Sequence, residues 1–152
     1  MMSVIINIFA VVFSFLFMEF AAWFTHKYIM HGLLWKLHKD HHVKSGKSFF
    51  EMNDLFFIFF ATPSILLMYL GYNETFSSPL FWAGVGIALY GMAYTFVHDI
   101  YIHQRFKFFT KFETPYFRSM RRAHKMHHKH TQKEDGESFG FLYVEKIYRT
   151  SK

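Results

Sequence analysis

The sequence predicts an all-α integral membrane bundle: about three spanning helices, with cytoplasmic helices carrying a histidine-rich di-metal site. Three observations predict it. Three apolar runs have membrane-spanning length, every Lys and Arg is confined to two segments, and ten of the 11 histidines fall into two sets of similar spacing. The composition agrees, with 52% hydrophobic, 22% aromatic and 18% charged residues, against about 25% charged in ordinary soluble domains. Phe, at 22, is the commonest residue, as suits a surface that partly faces lipid. The 152 residues are expected to form one domain, 1–152.

The first run, Ser3–Thr25, holds a single charge, Glu19. It reads as a retained span rather than a signal peptide, because no Lys or Arg precedes it, no small-x-small pattern ends it and the histidines begin immediately afterwards. Leu55–Tyr72 and Pro79–Val97 follow. A helix needs about 20 residues to cross a hydrocarbon core roughly 30 Å thick, so the expected spans are 3–25, 55–72 and 79–97. Three crossings put 1–2 and 73–78 on one side, and 26–54 and 98–152 on the other.

Five of the 17 Lys and Arg lie in 26–54 and the other twelve in 98–152. The positive-inside rule makes that side cytoplasmic, with the N-terminus outside and the C-terminus inside. A bacterial inner membrane is the expected location. The same asymmetry argues against nucleic acid, despite a net charge of +6: RFKFFTKFETPYFRSMRRAHK (105–125), aromatics among cations, reads as an interfacial segment at the lipid headgroups. With no cysteine, disulfides, thiolate metal sites and c-type haem attachment are excluded.

Both histidine sets lie on the basic side. The first is His26-x4-His31, then His38-x2-His41-His42; the second is His98-x4-His103, then His124-x2-His127-His128. On a helix, i, i+3 and i+4 share about 100° of arc, so each HxxHH presents three imidazoles together. The HxxxxH pairs stand about 140° apart on an ideal helix, which reaches two neighbouring metals or straddles a bend. A lone histidine at a membrane edge is ordinarily an interfacial polar residue. Ten in duplicated spacing point instead to two divalent metals, which imidazole binds whether the metal is Fe, Zn, Cu or Ni. His130 falls outside the arc of its neighbours, and the matching position in the first set is Lys44.

HKYIMH, HKDHH, HDIYIH and HKMHH resemble the histidine boxes of the membrane fatty-acid hydroxylase and desaturase superfamily. HKYIMHGLLWKLHKDHH, NDLF (53–56), FVHDIYIHQRF (96–106) and ESFGFLY (137–143) are similar to its β-carotene hydroxylase branch. The resemblance implies a di-iron monooxygenase that uses dioxygen to hydroxylate C3 of the β-ionone rings of β-carotene, giving β-cryptoxanthin and then zeaxanthin. It implies His26, His31, His38, His41, His42, His98, His103, His124, His127 and His128 as metal ligands, five to each iron. The division between the irons stays open.

Asp40 and Asp99 lie inside the boxes and are candidate acceptors for ligand N–H groups; otherwise they are solvated carboxylates. Glu19 precedes His26 by seven residues, about 20° from the same face. Its candidate role is support of the metal site or a proton path, against a structural hydrogen bond between helices. Gly84, Ala88, Gly91 and Thr95 form a small-residue stripe leading to His98, read as close helix packing or as a slot for a lipid-soluble carotenoid substrate. No dinucleotide fingerprint occurs, so electrons are expected from an external donor such as reduced ferredoxin, docking on the basic face of 105–129. The competing readings are a fatty-acid or sterol hydroxylase or desaturase, a carotenoid ketolase, and a membrane metal-binding or transport protein.

Overall fold

The structure, a computed structural model, describes residues 1–43, 48–74, 76, 78–109, 111 and 113–149; Lys44 lies outside them. Its long helices follow the apolar runs. Helix α1 (Met2–Phe24) continues into a π-helical segment, π1 (Thr25–Leu33), which kinks at Gly32 (φ −110°, ψ −112°), and is followed by α2 (Trp35–His42). A 3-10 turn (Met52–Asp54) leads into α3 (Leu55–Glu74). Helix α4 (Pro79–Tyr94) continues into a second π segment, π2 (Thr95–Ile102), before α5 (Pro115–His127) and the short α6 (Lys146–Arg149). There is no strand among the described residues. Three stretches, Met2–Leu33, Met52–Tyr72 and Pro79–Ile102, are long and apolar enough to cross a membrane.

The chain forms two compact units. One comprises Met1–Met18 and Leu55–Ala93, and its surface is oily: Phe9, Phe13, Phe57, Ile65 and Met92 are all more than half exposed. Its buried positions include Ser14, Ser64, Gly84 and Gly86. Met18, Phe56 and Tyr90 are buried with them, and large apolar groups outside with small residues at the helix contacts are the pattern of helices packed in lipid, where close backbone approach replaces the hydrophobic effect. Ser64 Oγ donates to the Gly84 carbonyl at 2.8 Å. A Cβ on Gly86 would stand 2.0 Å from Ser14 Oγ and 2.4 Å from the Val11 carbonyl oxygen, and one on Gly84 2.7 Å from the Ser64 carbonyl oxygen. Close packing therefore runs through Gly84 and through Gly86, which the stripe did not include. At Gly91 a Cβ would meet nothing within 4 Å, so the crowding expected there is absent.

The second unit comprises Glu19–Asp54 and Tyr94–Lys152 and contains every histidine. Helix α5 begins at Thr114, whose hydroxyl accepts the Phe117 N–H at 3.3 Å, with Pro115 at the first helical position as capping favours. The described part of 105–114 is not helical, so 105–125 is not one continuous interfacial helix. Along α5, Ser119, Met120, Ala123, His124 and His127 are buried. This stripe, carried by an otherwise basic helix, fixes which histidines face inward.

Candidate metal centre

The π segments decide how the two HxxxxH boxes work. Pairing from i to i+5 widens the turn and brings residues five apart onto one face. Leu34 N–H donates to the Ile29 carbonyl at 2.8 Å, and His103 N–H to the His98 carbonyl at 2.9 Å. The rings of His26 and His31 consequently lie 5.3 Å apart, and those of His98 and His103 4.5 Å apart. The 140° divergence expected of an ideal helix is thereby corrected: each HxxxxH pair serves one cluster.

Two groups of imidazoles result. His26, His31, His38, His42 and His127 form one, and His41, His98, His103 and His124 the other; within each group one nitrogen per ring lies within 4.8 Å of all the rest. His128 stands beside the second with its Nε2 2.9 Å from His124 Nε2, though it is not one of the four that share that distance, and its ring stacks on His42 at 4.7 Å. The division cuts across the boxes. In each HxxHH the i and i+4 rings stand only about 40° apart, while i+3 lies on the far side of the arc. His38 and His42 thus stay together while His41 crosses over, and His124 and His128 stay together while His127 crosses over.

The second ring nitrogens fix the tautomers. In the first group His26 Nδ1 meets the Phe139 carbonyl at 3.2 Å, His31 Nδ1 that of Lys133 at 3.2 Å, and His42 Nδ1 that of His130 at 2.9 Å. His127 Nδ1 meets the Glu137 carbonyl at 2.8 Å and His38 Nδ1 meets Asn53 Oδ1 at 2.7 Å. These oxygens only accept, so each Nδ1 carries the proton and each Nε2 is a bare lone pair. Yet Nε2 of His38 lies 3.1 Å from Nε2 of both His26 and His42, and Nε2 of His31 lies 3.3 Å from that of His127. Lone pairs facing each other at this range repel unless a cation lies between them. The donor set therefore fits a divalent metal.

Burial keeps six of the rings neutral. His38 and His127 are each pushed down to about 2, His128 to about 3 and His42 to about 4, in every case chiefly by loss of water and further by neighbouring imidazoles. His41 and His124 are lowered for the same reasons. Neutral imidazole is the metal-binding form.

In the second group, His41 Nδ1 donates to Glu51 Oε2 and His98 Nδ1 to Asp99 Oδ1, both at 2.8 Å. Asp40 is engaged elsewhere, its Oδ2 accepting the Met52 N–H at 2.6 Å. Sequence reading missed Glu51, Asn53 and the carbonyls of His130, Lys133, Glu137 and Phe139. Glu51 and Asn53 had a signal, as polar residues between the first boxes and the second apolar run. The carbonyls had none. Glu19 Oε1 accepts the backbone N–H groups of Phe141, Leu142 and Tyr143 at 2.9, 2.8 and 2.9 Å. These bonds tie Glu19 to a loop and anchor the segment that presents the Phe139 carbonyl to His26.

A fatty acid hydroxylase family model matches residues 11–150. The chain is 46% identical over 127 residues to a β-carotene hydroxylase of Pantoea ananas, covering 84% of this chain and 71% of that protein. It is 40% identical over 142 residues to one of Pseudescherichia vulneris, covering 93% and 79%. The chloroplastic β-carotene 3-hydroxylase 2 of Arabidopsis thaliana is 42% identical over 127 residues, 82% of this chain and 41% of that longer protein. No solved structure matches.

Proposed function

Since the chain belongs to the fatty acid hydroxylase family, we propose that it hydroxylates C3 of both β-ionone rings of β-carotene, giving β-cryptoxanthin and then zeaxanthin. The observation that carries this reading is the pair of imidazole groups whose unprotonated nitrogens converge, in a chain similar to β-carotene hydroxylases over most of its length. His26, His31, His38, His42 and His127 would hold one iron; His41, His98, His103, His124 and His128 would hold the other. When bound, the two irons supply the activation of dioxygen that attack on an unactivated C–H bond requires and that no side chain provides. In the overall balance one oxygen atom enters the C–H bond and the other leaves as water, consuming two electrons and two protons.

The chain's own residues hold the donors in place. Carbonyls and Asn53 fix the Nδ1 tautomer in the first group, and Glu51 and Asp99 do so for His41 and His98 in the second. Burial excludes water from His38 and His127, 1% and 0% exposed. The stripe Gly84, Ala88, Gly91 and Thr95 is the proposed approach for the polyene from lipid, and the basic residues of 105–129 the proposed dock for reduced ferredoxin. The proposed setting is a bacterial inner membrane, with the N-terminus outside and the histidines cytoplasmic.

The test is pigment analysis of a carotene-accumulating cell expressing the chain. Zeaxanthin is expected, preceded by a singly hydroxylated intermediate. Keto products alone, or unchanged carotene with altered fatty acids, would move the assignment to a sister enzyme. Purified protein should carry close to two metal ions per chain, and a stoichiometry near one would break the two-group reading.

A further inference from the structure

The two groups are supported by oxygens of different charge. Every Nδ1 of the first group meets a neutral carbonyl or amide oxygen. In the second group, His41 and His98 donate to carboxylates. One side chain ties those carboxylates together. Arg105 Nη2 lies 2.9 Å from Glu51 Oε2, Nη1 lies 2.8 Å from Asp54 Oδ1, and Nε lies 4.0 Å from Asp99 Oδ1. The guanidinium is only 13% exposed, and Glu51 and Asp99 are 14% and 22% exposed.

The backbone directs Arg105 into this position. π2 ends at Ile102, and Gln104 then takes a left-handed φ of 52°, turning the chain back so that Arg105 N–H donates to the Asp99 carbonyl at 2.9 Å. Arg105 is thus hydrogen-bonded to the Asp99 carbonyl through the main chain and ion-paired with Glu51 and Asp54 through the side chain, its Nη2 lacking hydrogen-bond geometry. Asp54 completes the fastening, its Oδ2 accepting the Glu51 N–H at 3.0 Å.

We propose that Arg105 is a positioning residue that locks Glu51 and Asp99 onto His41 and His98, making the second histidine group more electron-donating than the first. The inference rests on the reading above that both groups hold metal. A carboxylate accepting from Nδ1–H draws the proton away from the ring and raises the donor strength of Nε2. A neutral carbonyl does so less. Three carboxylates gathered without a cation would repel and turn towards water, so the guanidinium is what keeps two of them on the imidazoles. Arg suits this role better than Lys, because its broad planar cation reaches Glu51, Asp54 and Asp99 from separate nitrogens at once.

The test uses full-length protein loaded with ⁵⁷Fe, read by Mössbauer spectroscopy and by metal content. Wild type should give two quadrupole doublets of similar area. Arg105→Gln should shift or deplete one of them, with metal affinity at that site falling about 10- to 100-fold, and leave the other in place. Glu51→Gln and Asp99→Asn should move that same doublet, and Arg105→Lys should restore it only in part. Asn53→Asp, which alters the support of His38 in the first group, should move the other doublet. If Arg105→Gln changes both doublets alike, or neither, the inference is overturned. Should Arg105→Gln fail to accumulate, Glu51→Gln and Asp99→Asn acting on different doublets would overturn it equally. A wild-type protein lacking two iron environments would instead overturn the metal reading, and this inference with it.

Discussion

Asn53→Ala tests whether the first imidazole group depends on its tautomers. Asn53 Oδ1 accepts from His38 Nδ1 at 2.7 Å, between a residue 8% exposed and one 1% exposed. Alanine leaves that N–H without its acceptor, in a place water reaches poorly. An orphaned buried donor costs about 1–3 kcal/mol. His38 can escape the cost only by moving its proton to Nε2, which removes one of five bare nitrogens from the group. Independently, loss of a hydrogen-bond partner behind a metal ligand lowers affinity about 10- to 100-fold, equivalent to about 1.4–2.8 kcal/mol. The two routes agree. Asn53→Asp keeps an acceptor at the same place and adds charge, so its affinity should equal or exceed wild type. The assay is chelator competition on purified protein, with metal content measured at each chelator concentration. Affinity in Asn53→Ala equal to wild type would refute the claim that His38 is held in one tautomer, and so the inference that Nε2 is bare.

Two further predictions concern neighbours that look alike in the sequence. His128→Ala should abolish hydroxylation and lower metal content, because its Nε2 stands 2.9 Å from His124 Nε2. His130→Ala should keep most of both: its ring lies 3.4 Å from Glu137 Oε1, while its contribution to the site is the backbone carbonyl on His42, which alanine retains. Gly86→Ala should lower thermal stability in detergent by about 1–3 kcal/mol, the usual cost of overpacking, because the new Cβ meets the Val11 carbonyl oxygen at 2.4 Å. Gly91→Ala, with open space around it, should not, and a comparable loss at both glycines would remove the packing account.

The spans were legible because bilayer thickness dictates the length of an apolar helix, and composition reports it directly. The histidines were legible because few constraints other than metal binding repeat an HxxxxH and HxxHH spacing. What surrounds them was less so, for distinguishable reasons. Backbone carbonyls such as those of Lys133 and Phe139 carry no side-chain signature, and their positions depend on how a loop closes. Asp40 and Asp99 look equivalent inside their boxes, yet Asp40 stands about 200° around α2 from His38, turned away from the imidazoles, while Asp99 lies beside His98 on the wider π2 turn. Glu19, seven residues before His26, meets the same loop as that histidine, through the N–H groups of Phe141, Leu142 and Tyr143, and loop closure is again what the sequence does not display.

The change of pitch also explains why the chain carries its histidines twice. An HxxxxH pair on an α-helix would split between two directions; on a π turn it becomes a two-toothed clasp for one cluster. Each HxxHH does the opposite, since its i and i+4 rings stay on one cluster while its i+3 ring reaches across. The first set alone therefore supplies four histidines to its own group and lends His41; the second supplies His98, His103 and His124 to its own, with His128 beside them, and lends His127, 0% exposed. Neither set completes its group without the other. The duplicated spacing is thus a reciprocal arrangement: holding α2 and α5 together is the same act as assembling both groups, and displacement of either helix strips donors from both.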